Sequence, residues 1–167
     1  MNDLFNDLPM LDGIDVDQFL KHFEIQNPVT FKSDEFIFRQ NDVSDKFYIL
    51  LEGKVKVFLE KDLGEDIFLG YVSIGYPIGE MSLLTETSRT ASVISESESK
   101  LISLNIQDFK EKIKANDPFS LKLCFNMAKI LSRRLSNSLK IINRVDGQIR
   151  QGEIATFREK LTSEGLF

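Results

Sequence analysis

The residues best suited to binding chemistry lie in one segment, 74–93, around Glu80 and Arg89. Its pattern predicts a turn, one turn of helix, a polar loop and a return to strand. Free N–H groups at a helix start attract a phosphate, and Gly79 lets backbone approach a ligand closely. The guanidinium of Arg89 can bind the same phosphate through two charge-assisted hydrogen bonds. Because a carboxylate repels an anion, Glu80 needs a hydroxyl donor such as a ribose 2′-hydroxyl, so the segment predicts a site for a phosphate with a sugar attached.

A structural explanation of the same residues stays open at this point. Glu80 and Arg89 can form a surface ion pair, worth about 0 to 1 kcal/mol, while the glycines only turn the chain. Cys124 and His22 are the only cysteine and the only histidine, which excludes a four-ligand zinc cluster and an internal disulfide. A catalytic Cys/His pair is formally possible, but Cys124 lies in an apolar helical run typical of buried side chains, and His22 in a surface helix. We expect no catalytic residue, no metal and no enzyme activity.

The elements that must position this segment follow from length and pattern. The chain has 167 residues, about one domain at roughly 150 residues each. Between Val29 and Leu104, β-branched and aromatic residues form short runs separated by turn signals, which predicts an antiparallel β-roll. Apolar spacing from Leu4 to Glu24 predicts two short helices before it. The predicted strands are 36–38, 46–51, 54–60, 66–71, 91–95 and 100–104.

Helical spacing returns after Asn105, and either Asn105 or Asp108 can cap a short helix there. Asp117 followed by Pro118 opens a long helix. This helix carries an apolar seam with alternating spacings of three and four residues. The seam can pack on the chain's own roll or form a parallel two-helix homodimer, and we favour the dimer. The sequence leaves the structure of the tail 151–167 open. The seam residues are Leu121, Cys124, Ala128, Leu131, Leu135, Ser138, Ile142, Val145 and Ile149.

The segment 74–93 resembles the phosphate-binding cassette of cyclic nucleotide-binding domains, the family of the catabolite activator protein and the protein kinase A regulatory subunit. The family pattern runs Phe-Gly-Glu-(Leu/Ile)-Ala-Leu, a short loop, and Pro-Arg-(Ala/Thr)-Ala-(Thr/Ser)-Val. Residues 79–84 and 89–93 fit it, and the resemblance extends over nearly the whole chain. Three positions depart from the pattern: Ile78 stands for Phe, Ser82 for Ala or Gly, and Ser88 for Pro. Loss of the proline leaves more loop freedom to be lost on binding, which predicts a weaker but not abolished affinity.

The resemblance implies the role of each cassette residue. Glu80 would bind the ribose 2′-hydroxyl and Arg89 the cyclic phosphate, and Thr90 occupies the position that influences nucleotide choice. A threonine there is compatible with cGMP and does not exclude cAMP. The predicted ligand-binding residues are Gly79, Glu80, Met81, Ser82, Arg89, Thr90 and Ala91.

The resemblance also implies an architecture and a lid. The fold would be α+β and mainly β, a double-stranded β-helix or jelly roll, with an N-terminal helical segment (1–28), the roll (29–104), C-terminal lid and dimer helices (105–150) and a tail (151–167). In the family, the helix after the roll closes over the base. Arg134, Asn137 and Ser138 are the candidate base contacts. Alternatively, they form a solvated helix face on which one polar residue fixes the register of a dimer.

The expected function is that of a receptor module for cAMP or cGMP, in which binding rearranges the lid and long helix and changes the surface offered to an effector protein. A ligand-independent dimeric scaffold, or the sensory part of a longer protein, are the alternatives. The net charge of −5 disfavours nucleic-acid binding, and no apolar run approaches the roughly 20 residues of a membrane span, so we expect a cytoplasmic protein. Only about twenty residues follow Val145, too few for the winged helix-turn-helix of about sixty residues in catabolite-activator relatives.

Overall fold

The strands form two four-stranded antiparallel sheets, with orders β1-β8-β3-β6 and β2-β7-β4-β5. The computed structural model describes Phe5 and residues 7–146, with side chains described through Ile142. Eight strands and four α-helices follow a short 3₁₀ turn, Pro9–Leu11. The strands are β1 Val29–Phe31, β2 Phe36–Phe38, β3 Lys46–Glu52, β4 Val55–Leu59, β5 Ile67–Val72, β6 Pro77–Ile78, β7 Ser92–Ser95 and β8 Ser99–Asn105. The helices are α1 Val16–His22, α2 Glu80–Thr85, α3 Ile106–Lys114 and α4 Pro118–Asp146.

Side chains from both sheets meet in one apolar core, which closes the roll. The longest pairing joins β3 to β8, from Lys46 opposite Asn105 to Glu52 opposite Lys100. β3 is buried on both faces, because its second face is covered by a helix: the rings of Phe47 and Phe109 lie 5.0 Å apart. The core residues are Ile37, Tyr48, Leu50, Val55, Ile78, Val93 and Leu101.

The predicted β-roll is confirmed, and so is the assignment of the strand sequences. All six predicted strands are present with end positions shifted by at most one residue at either end, whereas β1 and β6 were missed. β6 has two residues and begins with a proline, so no alternating pattern could reveal it. Of the two candidate caps, Asn105 is the one that caps α3, its side chain accepting the Asp108 N–H at 2.9 Å.

His22 differs from its predicted place on a free helix surface. Its Nε2 lies 3.0 Å from Oδ1 of Asp117, and its ring stacks on Phe119 with the centroids 4.9 Å apart. The Asp117 carboxylate also accepts the Ser120 N–H at 2.8 Å. His22 therefore connects α1 to the start of α4, because Asp117 precedes that helix and Phe119 lies in its first turn.

The chain divides into two compact units, Met1–Ile130 and Leu131–Phe167, with the boundary inside α4. In the first unit, Leu123, Met127 and Ile130 of α4 are buried, and the Asn126 amide donates to the carbonyls of Met10 and Asp12 at 3.0 and 2.9 Å. No helix within the described ranges has the length and apolarity that crossing a membrane requires.

The predicted seam of α4 lies mostly on its exposed face. Leu121 is 43% exposed, Leu135 62% and Ile142 41%, and Ala128 and Ser138 are exposed as well. Cys124 and Leu131 are partly buried. Val145 and Ile149 lie outside the residues whose side chains are described. The seam is thus distinct from the α4 face that packs within the first unit, and the predicted dimer stays a prediction.

Candidate functional site

The segment 74–93 folds as a short strand, a helical turn and a loop that returns to the roll. β6 leads to Gly79, which adopts a left-handed conformation (φ +77°) and starts α2. Glu86, also left-handed at φ +59°, ends α2, and the chain reaches β7 at Ser92. The predicted order of turn, helix, loop and strand is therefore correct. It brings Glu80 and Arg89 to the same buried region at the edge of the roll.

Arg89 is a buried cation that donates to backbone carbonyls and stacks on an aromatic ring. The residue is 3% exposed, its Nη1 donates to the Gly79 carbonyl at 3.3 Å, and its Nη2 donates to the Lys46 carbonyl. The guanidinium carbon lies 3.9 Å from the centroid of the Phe38 ring, a cation–π contact. Nε has no acceptor in the described part of the chain. One donor of the fork that recognises anions is thus buried and unsatisfied.

Burial and nearby acidic groups act on the charge of Arg89 in opposite directions. Burial lowers the pKa of Arg89, and the nearby Tyr48, Asp45, Asp42 and Glu80 oppose that shift. Burial also raises the pKa of Tyr48, against the opposing effect of Arg89. The carboxylates already supply opposite charge, so the group left for a ligand is the buried Nε donor, which lacks a hydrogen-bond acceptor in the described part of the chain.

Glu80 is as enclosed as Arg89, at 5% exposure. The alternative of an ion pair on the surface requires exposed side chains, and neither residue is at the surface. Glu80 is the first residue of α2 and stands directly after Gly79. The buried position of both charged residues favours a binding site over a solvated pair.

Gly79 is required by its surroundings as well as by its φ angle. A Cβ at this position would collide with Nη1 of Arg89 and lie 3.3 Å from Cε1 of Phe38. Any larger residue would therefore displace the guanidinium or the backbone of the α2 start. The contact with Arg89 therefore explains the glycine, and the close approach of a ligand to this backbone stays a prediction.

Two of the three departures from the family pattern contact each other. The Ser82 hydroxyl donates to the Ser88 carbonyl at 3.2 Å, and Ser82 is buried. This bond ties α2 to the loop immediately before Arg89. It restrains the loop that lacks the family's proline, so part of the predicted loss of rigidity is offset.

Of the remaining cassette residues, Met81 and Thr90 line the exposed side of the segment. Thr90 is exposed, and its hydroxyl lies 3.8 Å from the sulfur of Met81, which is also exposed. Ala91 is buried beside them. The structure therefore brings Met81 and Thr90 together, next to the buried pair of Glu80 and Arg89.

The lid candidates lie in the second unit, on α4. Arg134 is partly buried, whereas Asn137 and Ser138 are exposed. The Ser138 hydroxyl donates to the Arg134 carbonyl of its own helix at 3.1 Å. A base contact by Ser138 would need that bond to be replaced, and the role of these three residues stays a prediction.

Three contacts of Arg89 were missed from the sequence. Phe38 and the Lys46 carbonyl contact its guanidinium, and a turn ending at Asp42 holds its backbone. All three groups lie more than forty residues before Arg89 in the chain. Only the Asn41-Asp42 pair, typical of a turn, gave a local signal.

Comparisons with known proteins agree with this geometry. The model of the family described as "Cyclic nucleotide-binding domain" matches residues 28–116. The cAMP-dependent protein kinase regulatory subunit of Dictyostelium discoideum is 34% identical over 120 residues, 70% of this chain and 33% of that protein. The Cyclic AMP receptor protein of Thermus thermophilus is 27% identical over 161 residues, 95% of this chain and 71% of that protein. The chain thus spans about a third of the kinase subunit.

Solved structures show the same fold. The Catabolite Activator Protein of Thermus thermophilus superposes with a TM-score of 0.67 at 25% identity, over 83% of this chain and 63% of that one. The regulatory domain of Toxoplasma gondii PKA, crystallised with cAMP, gives a TM-score of 0.60 at 25% identity, over 81% of this chain and 48% of that one. The sequence resemblance, the eight-stranded roll and the buried cassette therefore lead to one conclusion. The chain belongs to the cyclic nucleotide-binding domain family.

Proposed function

We propose that this chain binds a cyclic nucleotide, cAMP or cGMP, in the segment 74–93. The observation that carries the proposal is the buried guanidinium of Arg89 with its unsatisfied Nε donor. A cyclic phosphate offers two exocyclic oxygens. Nε and one Nη group can donate to both of them in the fork geometry typical of arginine.

The rest of the nucleotide follows from the neighbours of Arg89. Glu80 accepts the ribose 2′-hydroxyl, because a buried carboxylate beside a phosphate is stabilised by a donor rather than by the anion. Gly79, Ser82 and Ala91 supply backbone around the phosphate. Met81 and Thr90 lie on the exposed side, where the base would lie. The Thr90 hydroxyl is compatible with either purine.

The names of the relatives support a regulatory role. The two curated relatives described above are a kinase regulatory subunit and a receptor protein, and a structural neighbour holds cAMP. We place this chain in the same class, as a receptor without catalytic activity of its own. Binding would shift the population of a lid-closed state, in which Arg134, Asn137 or Ser138 contacts the base.

The readout would pass through α4 to another protein. Leu135 and Ile142 present an apolar stripe of the kind that pairs with a second copy of the same helix. We propose a homodimer through this stripe and an effector protein that recognises the rearranged helix. The same stripe also fits the scaffold alternative, so dimer formation alone does not separate the two functions.

Calorimetric titration of the full chain with cAMP and with cGMP tests the proposal. The wild-type protein should bind at least one of them, and Arg89→Lys should weaken binding by about tenfold or more, because lysine keeps the charge but loses the fork. Arg133→Lys is the matched control, since Arg133 is an exposed residue of α4. A wild-type chain that binds neither nucleotide would favour the scaffold function.

A further inference from the structure

Two turns of the same construction flank β2. In the second turn, residues 39–42, the Arg39 N–H donates to the Asp42 carboxylate at 2.8 Å and the Asp42 N–H donates back to the Arg39 carbonyl at 3.2 Å. Asn41 is left-handed at φ +69°. The carboxylate bond closes the turn and fixes Asn41 in a conformation that residues other than glycine seldom adopt.

The backbone of Arg89 is bonded to this turn on both sides. The Asn41 N–H donates to the Arg89 carbonyl at 2.8 Å, and the Arg89 N–H donates to the Asp42 carbonyl at 3.0 Å. A third bond, from the Gln40 N–H to the Ser92 hydroxyl at 2.7 Å, attaches the turn to the strand that follows. The turn therefore fixes the point from which the Arg89 side chain extends.

The other end of the turn is anchored to the roll. The Glu60 N–H donates to the Gln40 side-chain oxygen at 2.9 Å, and the Ser92 hydroxyl donates to the Glu60 carboxylate. Phe38 lies just before the turn, and the centroid of its ring is 3.9 Å from the guanidinium carbon of Arg89. β2 and its turn thus hold both the backbone and the side chain of the arginine.

The first turn, residues 32–35, repeats these bonds at the other end of β2. The Lys32 N–H donates to the Glu35 carboxylate at 2.8 Å, the Glu35 N–H donates to the Lys32 carbonyl at 3.2 Å, and Asp34 is left-handed at φ +63°. Its backbone partner is Ser95, through bonds of 2.7 and 2.9 Å. This turn therefore holds the far end of β7 and not the arginine.

We propose that Asp42 is a positioning residue for Arg89: its carboxylate keeps the turn in the shape that aims the guanidinium at the nucleotide phosphate. This inference rests on the proposed function, since it concerns the same site. Asp42 acts through the turn and the Arg89 backbone and does not touch the ligand. A misplaced guanidinium loses binding because both donors of the fork must meet the phosphate oxygens.

Matched variants test the proposal by calorimetric titration of the full chain with cAMP, or with cGMP if the wild type binds only that nucleotide. Asp42→Ala should weaken binding by about tenfold, whereas Asp42→Asn should bind as the wild type does, because its amide oxygen still accepts the Arg39 N–H. Glu35→Ala is the control: it opens the sister turn and should lower the melting temperature as much as Asp42→Ala while leaving the affinity unchanged. In an Arg89→Lys background, the effect of Asp42→Ala should fall to about twofold or less.

The inference is overturned if Asp42→Ala binds cAMP as tightly as the wild type, if Glu35→Ala weakens binding equally, or if the Asp42→Ala effect persists in full without Arg89. A ligand-free measurement separates it from the proposed function. The ¹⁵N–¹H resonance of the buried Arg89 Nε should shift in Asp42→Ala and not in Glu35→Ala. If the wild type binds neither cAMP nor cGMP, the receptor function fails, and the Arg89 resonance then tests the inference alone. A shift in Asp42→Ala but not in Glu35→Ala supports positioning by Asp42, and unchanged spectra refute it.

Discussion

The two turns beside β2 have the same hydrogen-bond pattern but hold different residues. Each has a carboxylate that closes the turn, a left-handed residue before it and a pair of backbone bonds to the β7 region. One turn holds Arg89, whose side chain enters the site, and the other holds Ser95, whose hydroxyl donates to the Ser97 carbonyl. The two turns are alike in structure and differ in the residue that each holds, so we expect only the turn bonded to Arg89 to affect nucleotide binding.

The largest contrast should appear when the two held residues are changed. Arg89→Ala removes the buried cation and should cost about 2 to 5 kcal/mol of nucleotide binding. Ser95→Ala removes a buried hydroxyl at the other end of β7 and should lower stability by about 1 kcal/mol without changing affinity. Calorimetry and thermal unfolding measure both. Equal affinity losses in the two variants would remove the functional difference between the two ends.

A glycine substitution should separate backbone strain from displacement of the guanidinium. Gly79→Ala and Gly64→Ala both place alanine at a positive φ, +77° and +92°, and each should cost about 1 to 2 kcal/mol of stability. Only the added Cβ of Gly79→Ala meets Arg89, whereas nothing lies within 4 Å of the one at position 64. We expect nucleotide affinity to fall about tenfold in Gly79→Ala alone. A similar loss in Gly64→Ala would contradict the steric explanation.

The left-handed residues of the turns offer a sharper version of the comparison. Asn41→Val and Asp34→Val should each destabilise the fold by about 1 to 2 kcal/mol, because a β-branched residue fits φ near +65° poorly. The affinity for nucleotide should decrease by several-fold only in Asn41→Val. Asn41→Gly should keep both stability and affinity, and a loss of affinity there would mean that the Asn41 side chain has a role of its own.

The smallest effect is expected at Ser82. Ser82→Ala removes the bond to the Ser88 carbonyl and should weaken binding by about two- to fivefold, because the loop before Arg89 gains freedom. Leu84→Ala is the control on the same helix, because the exposed Leu84 side chain has no hydrogen-bonding group and forms no such bond to that loop. Titrations that give identical affinities for the two variants would show that the Ser82 bond does not order the cassette.

The cassette could be predicted because its chemistry is local. The segment 74–93 contains a glycine, a carboxylate and an arginine, and this combination predicts a phosphate-sugar site without knowledge of the rest of the chain. The role of the turn at Asp42 could not be predicted, since nothing in the sequence shows that Asn41 and Arg89 meet across the roll. The stacking of Arg89 on Phe38 is hidden for the same reason: a phenylalanine in a strand predicts a core residue, not a cation–π partner.

The strands show where local patterns are sufficient. Runs such as 46–52, rich in aromatic and branched residues, are long enough to reveal a buried strand, and β3 appears where it was predicted. β6 has only Pro77 and Ile78, and its pairing with Tyr48 and Ile49 exists only through the tertiary fold. The base contacts proposed for Arg134, Asn137 and Ser138 remain predictions, because α4 has no motif that fixes their alignment with the family.

The proposed nucleotide site is tested most directly by a crystal structure of the full chain grown with an excess of cAMP or cGMP. We predict that the crystal will show a cyclic phosphate within hydrogen-bond distance of Arg89 Nε, with the ribose 2′-hydroxyl bonded to the Glu80 carboxylate. A nucleotide bound elsewhere, or an Arg89 that keeps its bonds to the Gly79 and Lys46 carbonyls with Nε still unpaired, would contradict it.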